Sequence, residues 1–489
     1  MAPIETPRAA FLSWLTFDPD QEIKRPAIIL IFILSLALIL RLAAAATMSA
    51  IDLDGTLYAQ IGDAFSKGEV REALGGVFPP FYPFLIGLAH LIIPDLELAG
   101  TAVSLAAGLL LVYLSFIFFR RLIGDTKALY VAFFVALNPY LVKYSASVLT
   151  ESIATVLVLF TVFAFYRSWT ADSPLYAALS GFSLSLTYLT RPEYIAYSVP
   201  LCALFLLKKR FLHAFLFALF FAFLVGAYVY WMKAETGFWV VSKKAILAKE
   251  MMASPAAYHS HLLPVSSLGL IARYFPTVLY DVVNALLPHL LLLAYLGIAR
   301  VDRRYAVLVL VLLFFHILVP SAVRASSKRF YVELIPLMLP FTVAGLSVFR
   351  SFAGRSGRGK IIYYLCIAGI VGFSLIQCVN PPSTTRGLNK EAGLYLGSRD
   401  PHAVVAAAMP LVPFYAQGEW RFLPSLSRGV DTCGALMEQL RSRGVDYVVT
   451  DEETEKGTPF VAGCVKPLTP FSEFRHGEEF VKLYRIRDK

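Results

Sequence analysis

Residues 26–46 read PAIILIFILSLALILRLAAAA, a run with almost no polar side chains. A helix of about 20 apolar residues crosses the roughly 30 Å hydrocarbon core of a bilayer, so this stretch is predicted to span a membrane. Similar runs recur near 98–119, 128–143, 152–168, 175–189, 193–207, 211–231, 278–299, 305–320, 332–349 and 361–378. The sequence therefore predicts a polytopic α-helical membrane protein of about eleven spans. The shorter runs must tilt or lean on neighbours. Composition agrees: of 489 residues 57% are hydrophobic and 16% charged, whereas a soluble domain has about a quarter charged. A soluble globular protein is excluded.

The net charge of +10 is not a nucleic-acid footprint. Residues 379–489 balance 14 basic against 14 acidic side chains, and residues 1–378 carry 30 against 20. The excess follows the membrane: Lys24-Arg25 precede the first run, and basic groups return at every second turn. These are Arg120, Arg121 and Lys127; Arg167; Lys208 to Arg210; Arg300, Arg303 and Arg304; and Arg350, Arg355, Arg358 and Lys360. That alternation predicts a cytoplasmic segment 1–25 and a cytoplasmic start. The first run lacks the flanks of a cleaved signal and is expected to remain as an anchor. Loops 47–97 and 232–277, and everything after Cys378, then lie outside the cytoplasm.

At Asn380-Pro381-Pro382 the composition changes, marking a hinge. Residues 379–489 alternate short β runs (VVAAAM, DYVVTD, FVKLYRI) with a helical ALMEQLRSRG, predicting a small extracytoplasmic α/β domain. The five cysteines contain no ligand-spaced pair, against a zinc or iron–sulfur site. Cys433 and Cys464 are the two in the tail; an even count outside the cytoplasm favours a bridge, with two unrelated buried thiols as the alternative.

Candidate chemistry sits at the outer ends of the runs. Asp52 and Asp54 in IDLDGTLYAQ follow the first run, where a carboxylate can accept a hydroxyl proton near a lipid-borne phosphate, or can simply begin a helix. Glu151 opens the fourth run and could equally be a charge favoured by a helix N-terminus. Arg191, in LTRPEY, is a cation on the outer side against the general bias, and needs an anion. Lys328 and Arg329, in SSKRFYVELIP, form a second outer basic cluster; the local alternative is an Arg329–Glu333 pair at i,i+4. In 232–277, Lys243, Lys244, Lys249, His259, His261 and Arg273 lie among Phe238, Trp239 and Tyr258, and most read as interfacial anchors. His259 and His261 are too close in sequence to share a helix face and show no third metal ligand.

These residues, in this order and on one side of the membrane, resemble the GT-C glycosyltransferases that take a sugar from a polyprenyl-phosphate carrier. Their relatives are the protein O-mannosyltransferases and the lipid A aminoarabinose transferase. The resemblance runs from about 26 to 350, and extends to the tail only in type. Asp54 and Tyr58 match the first-loop acid and tyrosine; GVFPPFYPFLIGL (76–88) matches a Pro-containing turn into a surface helix. Leu149-Thr150-Glu151, Thr190-Arg191, and Lys328 to Tyr331 match later motifs. Two places depart: Val77-Phe78 stands where the aminoarabinose transferases have Glu-Lys, and Asp54-Gly55 stands where a double acid is common.

The resemblance implies a GT-C transmembrane domain over 26–378 with catalytic outer loops. It implies an inner-membrane glycosyltransferase moving a monosaccharide, hexosyl or pentosyl, from an undecaprenyl-type phosphate to a lipid, glycan or protein acceptor. Asp54 would be the base and Glu151 an acceptor or sugar ligand, with Arg191, Lys328 and Arg329 on the leaving phosphate. Asp52, Tyr58, His259, His261, Arg273 and Tyr331 would complete the substrate site. No cofactor is required; a divalent metal bridging Asp54 and Glu151 is compatible. The competing readings are a transporter or lipid flippase, and a polysaccharide ligase with a diphosphate-linked donor. The transporter reading is disfavoured by ionisable groups lying in outer loops rather than at the midplane.

Overall fold

A computed structural model of the chain describes residues 7–240, 243, 268–323, 326–379 and 384–487. The hinge at Asn380-Pro381-Pro382, and His259 and His261, lie outside the described residues. Arg273 falls within the helix Leu268–Ala285, and its side chain also lies outside the description.

Every apolar run read from the sequence is helical. Among the described residues seven helices are long and apolar enough to cross a membrane: Pro26–Thr47, Leu96–Ile123, Glu151–Ala171, Phe211–Thr236, Arg303–Ser321, Lys328–Ala353 and Gly357–Cys378. An eighth crossing forms if the pair Tyr274–Ala285 and Pro288–Arg300, bent by 88°, counts as one. The chain is thus a multi-pass membrane protein with fewer full-length helices than the eleven runs. The reason is local punctuation. The run at 128–143 is two helices, because Pro139 opens a new one and the Asn138 side chain accepts from the backbone N–H groups of Tyr140 (3.1 Å) and Leu141 (3.2 Å). In the bent pair, Leu287 takes a left-handed φ of 61° just before Pro288, whose ring disfavours a helical residue ahead of it. Runs 175–189 and 193–207 form helices too short to cross unaided, the second entered through a 3-10 turn, Pro192–Tyr197.

Two compact units divide the chain: residues 1–44 with 61–379, and residues 45–60 with 380–489. In the first unit, helices Pro288–Gly297 and Ile335–Ala353 pack backbone to backbone. A Cβ on Gly345 would stand 1.8 Å from the Leu293 carbonyl oxygen, and one on Gly297 would stand 2.0 Å from that of Phe341. Small residues allow this approach, which apolar helices in lipid use in place of a hydrophobic driving force.

The second unit contains a five-stranded sheet ordered β2-β1-β3-β5-β4. Its strands are β1 (Val404–Ala407), β2 (Glu419–Phe422), β3 (Tyr447–Asp451), β4 (Ser472–His476) and β5 (Glu479–Arg485). β1 pairs parallel with both β2 and β3, and β5 pairs antiparallel with β3 and β4. Side chains alternate between faces. Val405, Ala407, Tyr447 and Val449 enter one core with Leu388 and Leu396, while Ala406 and Val448 enter another with Leu423, Leu436 and Leu440. Cys433 and Cys464 are joined as a disulfide, with Cα atoms 5.1 Å apart, fixing the start of helix Cys433–Ser442 to helix Pro459–Val465.

Candidate active site

In the membrane unit three segments bring charges into one buried place. Glu151 is the first residue of helix Glu151–Ala171 and is fully buried. Arg191 stands in extended backbone between helix Pro174–Tyr188 and the turn Pro192–Tyr197, and is 5% exposed. Arg329 and Glu333 lie on the 3-10 turn Lys328–Leu334. The Arg191 Nη1 lies 3.1 Å from Oε1 of Glu151 and 3.1 Å from Oε1 of Glu333, while its Nε donates to Glu193 at 2.8 Å. Arg329 Nε donates to the same Glu151 Oε1. Arg191 also lies over the Phe330 ring, 5.5 Å from its centroid.

Burial works against charge on Arg191, yet the carboxylates of Glu333, Glu193 and Glu151 outweigh it and hold the guanidinium protonated more firmly than usual. The pairing corrects the local alternative read from sequence: Arg329 pairs with Glu151, and the ion contacts of Glu333 go to Arg191. In a 3-10 turn the residues that eclipse are three apart, which takes Glu333 off the face of Arg329. The carboxylates outnumber the guanidiniums by three to two. Oε2 of Glu151, both oxygens of Glu333 and the Tyr194 hydroxyl have no aligned hydrogen bond among the described residues. Such buried polar atoms are costly, and concentrate where a ligand or water completes the set.

Around this cluster the turns are tied together. The backbone N–H of Phe81, which starts the short helix Phe81–His90 after Pro79-Pro80, donates to the Leu189 carbonyl at 3.0 Å, two residues before Arg191. His316 Nε2 meets the Phe330 carbonyl, which can only accept, so Nε2 carries the proton. Nδ1 of a neutral ring then accepts from the buried Tyr197 hydroxyl at 2.9 Å. Tyr331 is buried, its hydroxyl 3.1 Å from Ser326 Oγ, which donates to Asp281 at 2.6 Å. Lys328 is exposed. Lys243 donates to the Gly75 carbonyl at 2.5 Å.

Asp52, Asp54 and Tyr58 belong to the other unit. Asp54 lies half-buried in the first turn of helix Leu53–Ser66, where the helix dipole favours a carboxylate, and Tyr58 is 2% exposed. Asp52 pairs with Arg386, and the Ile51 N–H donates to the Tyr415 hydroxyl at 2.8 Å. Among the described residues, no group of three or more His, Cys, Asp or Glu side chains is placed to hold a metal ion.

Sequence reading missed Glu193, Tyr194, Tyr197, His316 and Asp281, and offered Glu333 only as a local partner of Arg329. Glu333 carried a signal: an acid inside an apolar run is expensive unless paired. The two tyrosines and His316 carried none, since aromatics in such runs are ordinary packing.

Helices of this length and apolarity around a buried ion cluster define an integral membrane protein with its polar chemistry at helix ends. Residues 78–231 match the family model described as dolichyl-phosphate-mannose-protein mannosyltransferase. Among solved structures, ArnT from Cupriavidus metallidurans in the apo state is similar with a TM-score of 0.60 at 12% identity, covering 93% of this chain and 97% of that one. The same protein bound to undecaprenyl phosphate gives 0.64 at equal identity and coverage. The Archaeoglobus fulgidus oligosaccharyltransferase tethered with an acceptor peptide gives 0.56 at 12% identity, covering 87% of this chain and 69% of that one. No curated protein sequence matches. The chain shares its fold with these solved structures.

Proposed function

We propose that this protein is an extracytoplasmic glycosyltransferase that moves one monosaccharide from a polyprenyl-phosphate carrier to a hydroxyl of a lipid, glycan or protein. The observation that carries the reading is the buried Glu151–Arg191–Arg329–Glu333 cluster within a GT-C fold. Undecaprenyl phosphate bound to the similar ArnT supports the class of donor. The disulfide of the tail supports an oxidising compartment outside the inner membrane.

The reaction needs one base and cations on a departing phosphate. Asp54 takes the acceptor's proton, as the residue that matches the first-loop acid of the resembled glycosyltransferases. The acceptor oxygen forms its bond to the anomeric carbon as the carbon–oxygen bond to phosphate breaks, and the phosphate leaves with that electron pair. A single in-line displacement inverts the anomeric centre. Arg329, more exposed than Arg191, and the exposed Lys328 beside it in sequence meet the phosphate. Arg191, held by three carboxylates, orders Glu151 for a sugar or acceptor hydroxyl.

The test is transfer of radiolabelled sugar from a polyprenyl-phosphate donor by purified protein in lipid nanodiscs, with and without a chelator to report any divalent metal. Asp54→Asn keeps shape and removes basicity. It is expected to lower transfer by at least about 100-fold, within the range for a general base, with unchanged melting. Activity within about threefold of wild type removes Asp54 from the role of base.

A further inference from the structure

The transfer reaction leaves a buried titratable group unused: His316, in the spanning helix Arg303–Ser321. Both of its ring nitrogens are engaged, and on different turns. Nε2–H donates to the Phe330 carbonyl in the turn Lys328–Leu334, and Nδ1 accepts from the buried Tyr197 hydroxyl at 2.9 Å, at the end of the turn Pro192–Tyr197. The second of these turns begins directly after Arg191, and Phe330 directly follows Arg329. One imidazole therefore ties together the two segments that carry the guanidiniums of the cluster.

Phe330 is held at both its ends. His316 fixes its carbonyl, while its ring lies under the Arg191 guanidinium, 5.5 Å from ring centroid to the guanidinium carbon. A shift of Phe330 would move both arginines relative to Glu151, the carboxylate they share. The imidazole has little room to turn, because the rings of Tyr194, Tyr197 and Tyr331 pack around it at 5.6, 5.7 and 5.5 Å between centroids. The residue type follows from the contacts. A neutral imidazole presents one donor and one acceptor separated by a single carbon. An aliphatic side chain would take these partners from a buried hydroxyl and a buried carbonyl, which is costly. A glutamine amide also carries a donor and an acceptor on one carbon, and can keep both contacts.

We infer that His316, with Tyr197, is a positioning residue that sets the spacing of Arg191 and Arg329. It acts through Phe330 and meets no substrate atom. The inference rests on the cluster being the site of transfer. The experiment measures binding of undecaprenyl phosphate, and KM and kcat for transfer from its glycosylated form, by full-length protein in nanodiscs. His316→Leu is expected to raise the dissociation constant and the donor KM by about tenfold, and Tyr197→Phe by about fivefold, the effect of hydrogen bonds lost in a buried site. His316→Gln is expected to restore both to within about threefold of wild type. A purely structural role would lower the active fraction, and with it the apparent kcat, while leaving KM and the dissociation constant unmoved; that result overturns the inference. So does a glutamine variant that behaves like the leucine one. If His316→Leu does not fold, Tyr197→Phe decides alone, and values within about twofold of wild type overturn the inference. Wild-type protein that neither binds the probe nor transfers sugar defeats the proposed function itself, and the inference falls with it.

Discussion

Arg191 and Arg386 make the same kind of contact in different surroundings. Arg191 sits in the membrane unit, with its side chain 6% exposed and its guanidinium touching three carboxylates. Arg386 sits in the sheet unit, 39% exposed, on one aspartate that is itself 20% exposed. Water screens the second pair and compensates either partner if the other is lost, so its net contribution is at most about 1 kcal/mol. Glu151 and Glu333 are fully buried, so bulk solvent does not compensate them if Arg191 is lost. Surroundings decide what an ion pair does: the first specifies an arrangement, and the second is dispensable.

Substitutions can break or sharpen this contrast. The largest effect is expected from Arg191→Ala, which strips the shared partner from buried carboxylates and should cost about 3 to 5 kcal/mol. It should lower both the melting temperature in nanodiscs and the transfer rate; melting within 1 to 2 °C of wild type, roughly the scatter of such measurements, would remove the distinction. Next comes the bridge of the sheet unit. Replacing Cys433 and Cys464 by serine should destabilise that unit by about 3 to 4 kcal/mol, the chain-entropy value for a loop of this size. Hydrogen exchange should then rise in helices Cys433–Ser442 and Pro459–Val465. Arg191→Lys keeps the charge but cannot serve three carboxylates with a planar fork, and should fall between, at about 1 to 2 kcal/mol. Arg386→Ala should be smallest, below about 1 kcal/mol; a loss as large as that of Arg191→Ala would show that exposure is a poor guide here.

What could be read in advance follows the range of each signal. An apolar run is a local property, so every predicted run is found helical. Glu151, Arg191, Lys328 and Arg329 stood out because each is a charge at the end of such a run. Their pairing was not legible, since Glu151 and Arg329 are 178 residues apart and the only partner sequence offers Arg329 is its neighbour Glu333. Strands β1, β3 and β5 were read from their apolar residues. β2 (EWRF) and β4 (SEFRH) are short and largely exposed, and they are strands only because β1 and β5 offer them edges.

The approach of Gly297 and Gly345 limits how this chain can vary by descent. Every amino-acid replacement of glycine adds at least a Cβ, and at both positions that atom would stand within 2.0 Å of a backbone oxygen. No rotamer relieves a clash with main chain. In a library of all single substitutions scored by survival of the folded protein, both glycines should therefore be as depleted as Arg191, although neither carries any chemistry. Gly369 and Gly372 form an internal control: nothing lies within 4 Å of a Cβ built on either, and both should accept alanine freely.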